Sequence, residues 1–139
     1  TIYGEGVSEF YGRVGIGRAS GNGVEQQMPS LVTEGLACYG QFCLPTKNIT
    51  QTSVLNRDSA YITVNMKNSE SYIKLPTITL CDGQMYYIRK IGGYSFYVSG
   101  NILDYNGSIV QKVDISGNGT LCIFTYIESN DCWAYNFMN

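Results

Sequence analysis

Strand-like runs, several of them alternating between apolar and polar residues, are broken by turn residues about every six to ten positions from residue 59 onward. A period of two is the pattern of a strand with one buried face. Ala60-Tyr61-Ile62-Thr63-Val64-Asn65-Met66 alternates, and Lys67-Asn68-Ser69-Glu70 reads as a turn. Ser71 to Leu75 follows and Pro76 ends it; Cys81-Asp82-Gly83-Gln84 turns again. Gln84 to Ile91 sets Tyr86, Ile88 and Lys90 against Met85, Tyr87, Arg89 and Ile91. Gly92-Gly93 is a two-residue hairpin candidate, because both glycines accept positive φ. Tyr94 to Val98 returns, Ser99-Gly100-Asn101 turns, and Ile102 to Tyr105 leads to Asn106-Gly107, the strongest short hairpin sequence in the chain. Ser116-Gly117-Asn118-Gly119 precedes Thr120 to Tyr126, and Glu128 to Asp131 precedes a last strand, Cys132 to Phe137. No window sustains apolar residues at i, i+3, i+4, i+7 over three turns; the best attempt, Glu25 to Glu34, is interrupted by Pro29.

The expected fold is therefore all-β: an antiparallel jelly-roll-like sandwich over residues 59–139, preceded by a glycine-rich arm and irregular β flank over residues 1–58. The core expected from the alternation is Ile62, Val64, Ile73, Leu75, Ile88, Phe96, Val98, Ile109, Leu121, Ile123 and Trp133. In the flank, glycines at 4, 6, 12, 15, 17, 21, 23, 35 and 40 separate short β-like pieces (Glu9 to Ile16, Leu31 to Thr33). Missing side chains let such a segment lie close to a partner backbone. Its expected contacts are therefore with other chains. The flank is costly to order alone, since glycine loses the most conformational freedom.

Composition removes several functions. With 139 residues the chain has room for one domain. A net charge of -2 gives no basic surface for nucleic acid. Histidine is absent, which removes the commonest general base and metal ligand and leaves any catalytic cysteine without its partner. No catalytic residue, cofactor or metal is expected, and no membrane span, because no apolar run reaches the required length. Thr1-Ile2-Tyr3-Gly4-Glu5-Gly6 carries neither the basic stretch nor the apolar run of a secretory leader. Charged residues make up only 14% of the chain, while tyrosine occurs twelve times. That surface suits contact with other protein copies.

Individual motifs have plain readings. Gly15-Ile16-Gly17-Arg18-Ala19-Ser20-Gly21 looks like a phosphate loop, but no helix follows it. Asp58, Asp82, Asp104, Asp114 and Asp131 fall in expected turns, where their side chains bond the backbone. Five cysteines stand at 38, 43, 81, 122 and 132. Candidate disulfides are Cys38 with Cys43, and Cys122 with Cys132; buried reduced thiols are the other reading. Asn48, Asn106 and Asn118 head glycosylation sequons, relevant only to a chain that passes through a secretory route. Tyrosine platforms also suit a host glycan.

The order of strand ends carries a resemblance. Ala60-Tyr61-Ile62-Thr63-Val64, then Tyr72-Ile73-Lys74-Leu75-Pro76, Asp82-Gly83-Gln84-Met85-Tyr86-Tyr87-Ile88-Arg89-Lys90-Ile91, Gly100-Asn101-Ile102-Leu103-Asp104, Gly119 to Phe124, and Cys132-Trp133-Ala134-Tyr135 follow one another. This resembles the small β-domains that end phage tail fibres and recur in fibre and minor capsid proteins of large DNA viruses. The pattern differs at Ile102-Leu103-Asp104-Tyr105, where the family has an Ile-Asp-Gly turn, and in the five cysteines. The resemblance spans about residues 59–137. It implies a homotrimer at the virion surface, with other capsid proteins as partners. Two roles follow as expectations: a minor capsid or capsomer-cap protein, or a receptor-binding fibre head recognising host glycan or protein. The irregular N-terminal stretch and the lack of a shaft-like repeat favour the first.

Overall fold

The computed structural model describes residues 42–138. The arm's glycines, the Gly15 to Gly21 motif, the pieces Glu9 to Ile16 and Leu31 to Thr33, and Cys38 lie outside the described residues. The described chain is nearly all β. Its strands are β1 (Thr46–Ile49), β2 (Ser53–Val54), β3 (Tyr61–Met66), β4 (Tyr72–Lys74), β5 (Met85–Gly93), β6 (Phe96–Leu103), β7 (Ile109–Ile115), β8 (Leu121–Ile127) and β9 (Cys132–Met138). One short 3-10 turn, Glu128–Asn130, separates β8 from β9.

The sheet runs β1-β3-β5-β8-β9-β6-β4-β2, with β7 added beside β6. It divides into two flanks. One is β1-β3-β5-β8-β9 and the other is β2-β4-β6-β7; among the described strands they are joined by a ladder where Ile102 and Leu103 pair with Trp133 and Ala134. Burial alternates along β3, β5 and β8 and along much of β6, and the buried residues of both flanks form a single cluster. The two inner faces therefore look at one another, as in a sandwich.

The pairing is mixed rather than antiparallel. β5-β8, β6-β7 and β8-β9 are antiparallel, as expected of neighbours joined by turns. β1-β3, β3-β5, β2-β4, β4-β6 and β6-β9 are parallel. The chain order explains this. From β1 to β6 each strand lies on the opposite flank from the one before, so each return to a flank comes from across the core. Parallel neighbours need such a crossover, usually a helix; here a strand of the facing flank serves.

Gly92-Gly93 is accordingly not a hairpin. Both residues pair with Asn65 and Met66 of β3, and β5 has no ladder with β6. Gly93 has φ +75°, and a Cβ there would stand 2.2 Å from the Met66 carbonyl oxygen. Glycine is required by close backbone approach where the chain leaves one flank for the other. Asn106-Gly107 does form a hairpin tip. Asp104 N–H donates to Ser108 O at 2.7 Å, Gly107 N–H donates to Asp104 O at 2.9 Å, and Gly107 has φ +82°. The expected turn at Ser99-Gly100-Asn101 is instead continuous strand, with the β6–β7 register shifting between Ser99 and Ile102. A glycine inside a strand marks such a bulge.

Most of the expected core is in place: Ile62, Val64, Ile73, Leu75, Ile88, Phe96, Val98 and Trp133 are buried. The core also extends upstream of residue 59, through Ile49 and Leu55. Three assignments differ. Ile109 is 49% exposed, at the outer end of β7, which among the described strands pairs only with β6. In β8 the buried face is Cys122, Phe124 and Tyr126, so Leu121 and Ile123 point outward.

Candidate functional site

Outward-pointing residues of the β3-β5-β8-β9 flank line up in register. One row is Tyr61, Tyr87, Ile123 and Asn136. The next is Thr63, Arg89, Leu121 and Met138, and on the other side Met85, Thr125 and Ala134. Met85 and Met138 are exposed, and Tyr61, Tyr87, Leu121 and Ile123 are half-buried. Tyr61 and Tyr87 stack at 6.1 Å between ring centroids. Arg89 is the sole formal charge in these rows. A strand apolar on both sides leaves one apolar face outside its own core.

The outward face of the other flank is different. Its rows are Tyr72, Tyr97 and Asp114, then Lys74, Ser99 and Lys112. Tyr72 and Tyr97 stack at 5.2 Å, and Lys112 Nζ lies 5.4 Å from the centre of the Tyr97 ring. Asp114, expected in a turn, sits within β7 on this face. The other four aspartates take turn or loop positions. Asp82 accepts from Glu128 N–H, Asp104 from Tyr105 N–H and Asp131 from the Tyr126 hydroxyl, while Asp58 N–H donates to Asn56 Oδ1.

Aromatic side chains fill the seam between the flanks. Trp133 lies against Tyr86 and Tyr126, and Tyr135 against Tyr105, Phe124 and Phe137. The Tyr86 hydroxyl donates to Asn56 O at 2.7 Å. Its burial pushes the Tyr86 pKa up. The Tyr126 pKa is pushed up to about 12, first by its hydrogen bond to Asp131 and then by burial.

Cys122 and Cys132 do not form the candidate disulfide. In the β8-β9 register Cys122 opposes Phe137 and Cys132 opposes Ile127, so five residue steps separate them along the ladder. That is roughly 17 Å of strand, against a Cα separation of about 4.4–6.8 Å in a disulfide. Both are buried free thiols, and burial pushes the Cys122 pKa up to about 12. The Cys38–Cys43 pairing lies outside the described residues through Cys38.

The three sequon asparagines are exposed but differently engaged. Asn48 Oδ1 accepts from the Thr63 hydroxyl across the β1-β3 pair. Asn118 Oδ1 accepts from Lys90. Asn106 sits at the β6-β7 tip. Among the described residues no three His, Cys, Asp or Glu side chains cluster where a metal could be held. No helix among them is long and apolar enough to cross a membrane. An open depression is lined by Asn65, Met66, Lys67, Gly93 and Tyr94.

Sequence reasoning missed two features. The outward apolar face shows in β5 and β8, which are apolar at both parities, so alternation alone does not exclude Leu121 and Ile123 from the core. Lys90 shares the parity of Tyr86 and Ile88 in β5, but nothing in the sequence names Asn118 as its partner.

No protein-family model matches the sequence, and no curated protein sequence matches it. Among solved structures, a chain of a chaperone–substrate complex is similar over 65% of this chain and 18% of its own length, at 18% identity and a TM-score of 0.46.

Proposed function

We infer that this chain is a structural component of a virion surface that acts by binding copies of itself and other capsid subunits, without catalytic turnover. The observation that supports this reading is the outward face of β3-β5-β8-β9. Tyr61, Met85, Tyr87, Leu121, Ile123, Ala134 and Met138 are arrayed there in register with one charge, Arg89. Tyr and Met are enriched at protein interfaces, and charges are depleted at interface centres. Copies that cover this face bury apolar area at about 25 cal/mol per Å² and bring only one cation per chain toward the contact. Among the described residues β1, β2 and β7 end the pairing order, which gives a second reason to assemble, since a free edge is an aggregation hazard unless covered. A homotrimer fits the resemblance to fibre-end and minor capsid domains.

The test is native mass of the full chain, alone and as the Ile123→Lys variant. The expected result is an oligomer, three copies, that dissociates in the variant while the fold remains. A wild-type chain that stays monomeric at high concentration overturns the reading.

A receptor-binding head is the second reading, and it rests on the other flank. Tyr72, Tyr97, Lys74, Ser99, Lys112 and Asp114 present aromatic, hydroxyl and charged groups together, the side chains that contact glycans. Glycan-array binding lost on Lys112→Ala or Tyr97→Ala would move the assignment there.

A further inference from the structure

Lys90 is 2% exposed, on the inner face of β5 beyond Tyr86 and Ile88. A buried lysine ordinarily has a carboxylate beside it. Here Nζ donates to the Gly93 carbonyl at 2.9 Å and to Asn118 Oδ1, and neither group is charged. The contact with Asn118 is a built one. Gly119 N–H donates to Lys90 O at 2.7 Å, and Lys90 N–H donates to Thr120 O at 3.0 Å. The turn between β7 and β8 is thus tied by its backbone to Lys90 itself, and the asparagine side chain is held against the amine. Gly93, whose carbonyl holds the other side of Nζ, is fixed by its own close approach to Met66.

We propose that Lys90 and Asn118 are the site of an intramolecular amide cross-link. A bond forms from Lys90 Nζ, through its lone pair, to Asn118 Cγ. The Cγ–Nδ2 bond breaks, and Nδ2 leaves as ammonia with the proton that Nζ gives up. Starting from the ammonium form, one ammonium ion is consumed and one released. The step needs no oxidant, reductant or further reactant. What the fold supplies is proximity: a nucleophile and an acyl carbon fixed side by side react as if at very high concentration. The fold also restrains the competing reaction. In an Asn-Gly pair the following backbone nitrogen normally attacks Cγ, but Gly119 N–H is engaged with Lys90 O. The bond would tie β5 to the β7-β8 turn across 28 residues of sequence. Both partners sit away from the outward apolar face, so the proposal stands apart from the assembly reading.

Intact mass of the denatured, reduced full chain tests it, together with a tryptic map. The expected mass is lower than the sequence mass by one ammonia. Trypsin then fails to cut at the acylated Lys90, and fragment 90–112 is recovered joined to fragment 113–139. Asn118→Ala restores the full mass and two separate fragments. A wild-type mass equal to the sequence mass overturns the proposal. So does a deficit of one ammonia with only linear fragments, which marks cyclisation at Asn106-Gly107 or Asn118-Gly119 instead. The wild-type map decides the matter even where the variant fails to fold.

Discussion

The two outward faces carry the same motif in different company. Tyr61 stacks on Tyr87 and Tyr72 on Tyr97, each pair across parallel strands with nearly parallel rings. On the first flank the row continues into Ile123, with Met85, Leu121 and Ala134 around it. On the second it continues into Asp114, with Lys74, Ser99 and Lys112 in the neighbouring row. A stacked tyrosine pair is thus neutral evidence about function. Its neighbours along the row decide whether the face favours leaving water or staying in it, because transfer of a charge from water costs far more than a methylene gains.

The largest expected effect separates the inner and outer sides of one strand. Phe124→Ala removes a fully buried ring and is expected to cost about 3–5 kcal/mol in denaturant unfolding. Ile123→Ala, one residue away on the outward face, is expected to cost under about 1.5 kcal/mol in the monomer. Equal losses would mean that Ile123 is core and that the first face does not exist as described.

Next comes association. Ile123→Lys or Met85→Lys sets a cation among apolar neighbours on the first face. Sedimentation should show self-association weakened tenfold or more, which is about 1.4 kcal/mol or greater. Tyr97→Lys on the second face should leave it unchanged. If Tyr97→Lys disrupts the oligomer and Ile123→Lys does not, the roles of the two faces are exchanged.

An effect that depends on pH comes from the first flank's inner side. Tyr126 and Cys122 have pKa values pushed up to about 12, from ordinary values of 10.0 and 9.0. The folded chain then holds these protons more tightly than the unfolded chain. The stability these groups contribute is constant below about pH 9 and falls as pH rises toward 12. Denaturant midpoints measured across that range should decline, and Tyr126→Phe should flatten the part of the decline above pH 10. A midpoint that rises with alkalinity would contradict the assignment.

The strands themselves were legible, because alternation with turn residues at the breaks reports local geometry. Their partners were not. Ile62 alternates identically whether its strand pairs with a hairpin neighbour or with a strand that arrives from across the core. Only the chain path distinguishes the two, so Gly92-Gly93 reads as a turn and is in fact a close contact with Met66. Parity failed in β8 for another reason. Leu121 and Ile123 are as apolar as Cys122, Phe124 and Tyr126, and hydrophobicity cannot choose between two apolar faces. The ambiguity marks a strand that is apolar on both faces. The Lys90–Asn118 pair needs the Ser116 to Thr120 turn folded back onto β5, which no local pattern encodes.

The smallest expected effect tests the second face at its most specific contact. Lys112 Nζ lies 5.4 Å from the Tyr97 ring centre, and Lys112 is exposed in β7. An exposed cation over an aromatic face is worth about 0.5–1 kcal/mol, and salt weakens what is gained. Lys112→Gln keeps the length and polarity of the side chain and removes only the charge. Unfolding should therefore shift by less than about 1 kcal/mol, and the shift should shrink as salt is raised. Native mass should not change if assembly proceeds through the first face. The same substitution in the Tyr97→Leu background should cost nothing further, because the ring that held the cation is gone. A Lys112→Gln loss that is large, independent of salt and accompanied by dissociation would show that this face is buried in the assembly. The contrast between the two flanks would then lie in the kind of partner each one meets.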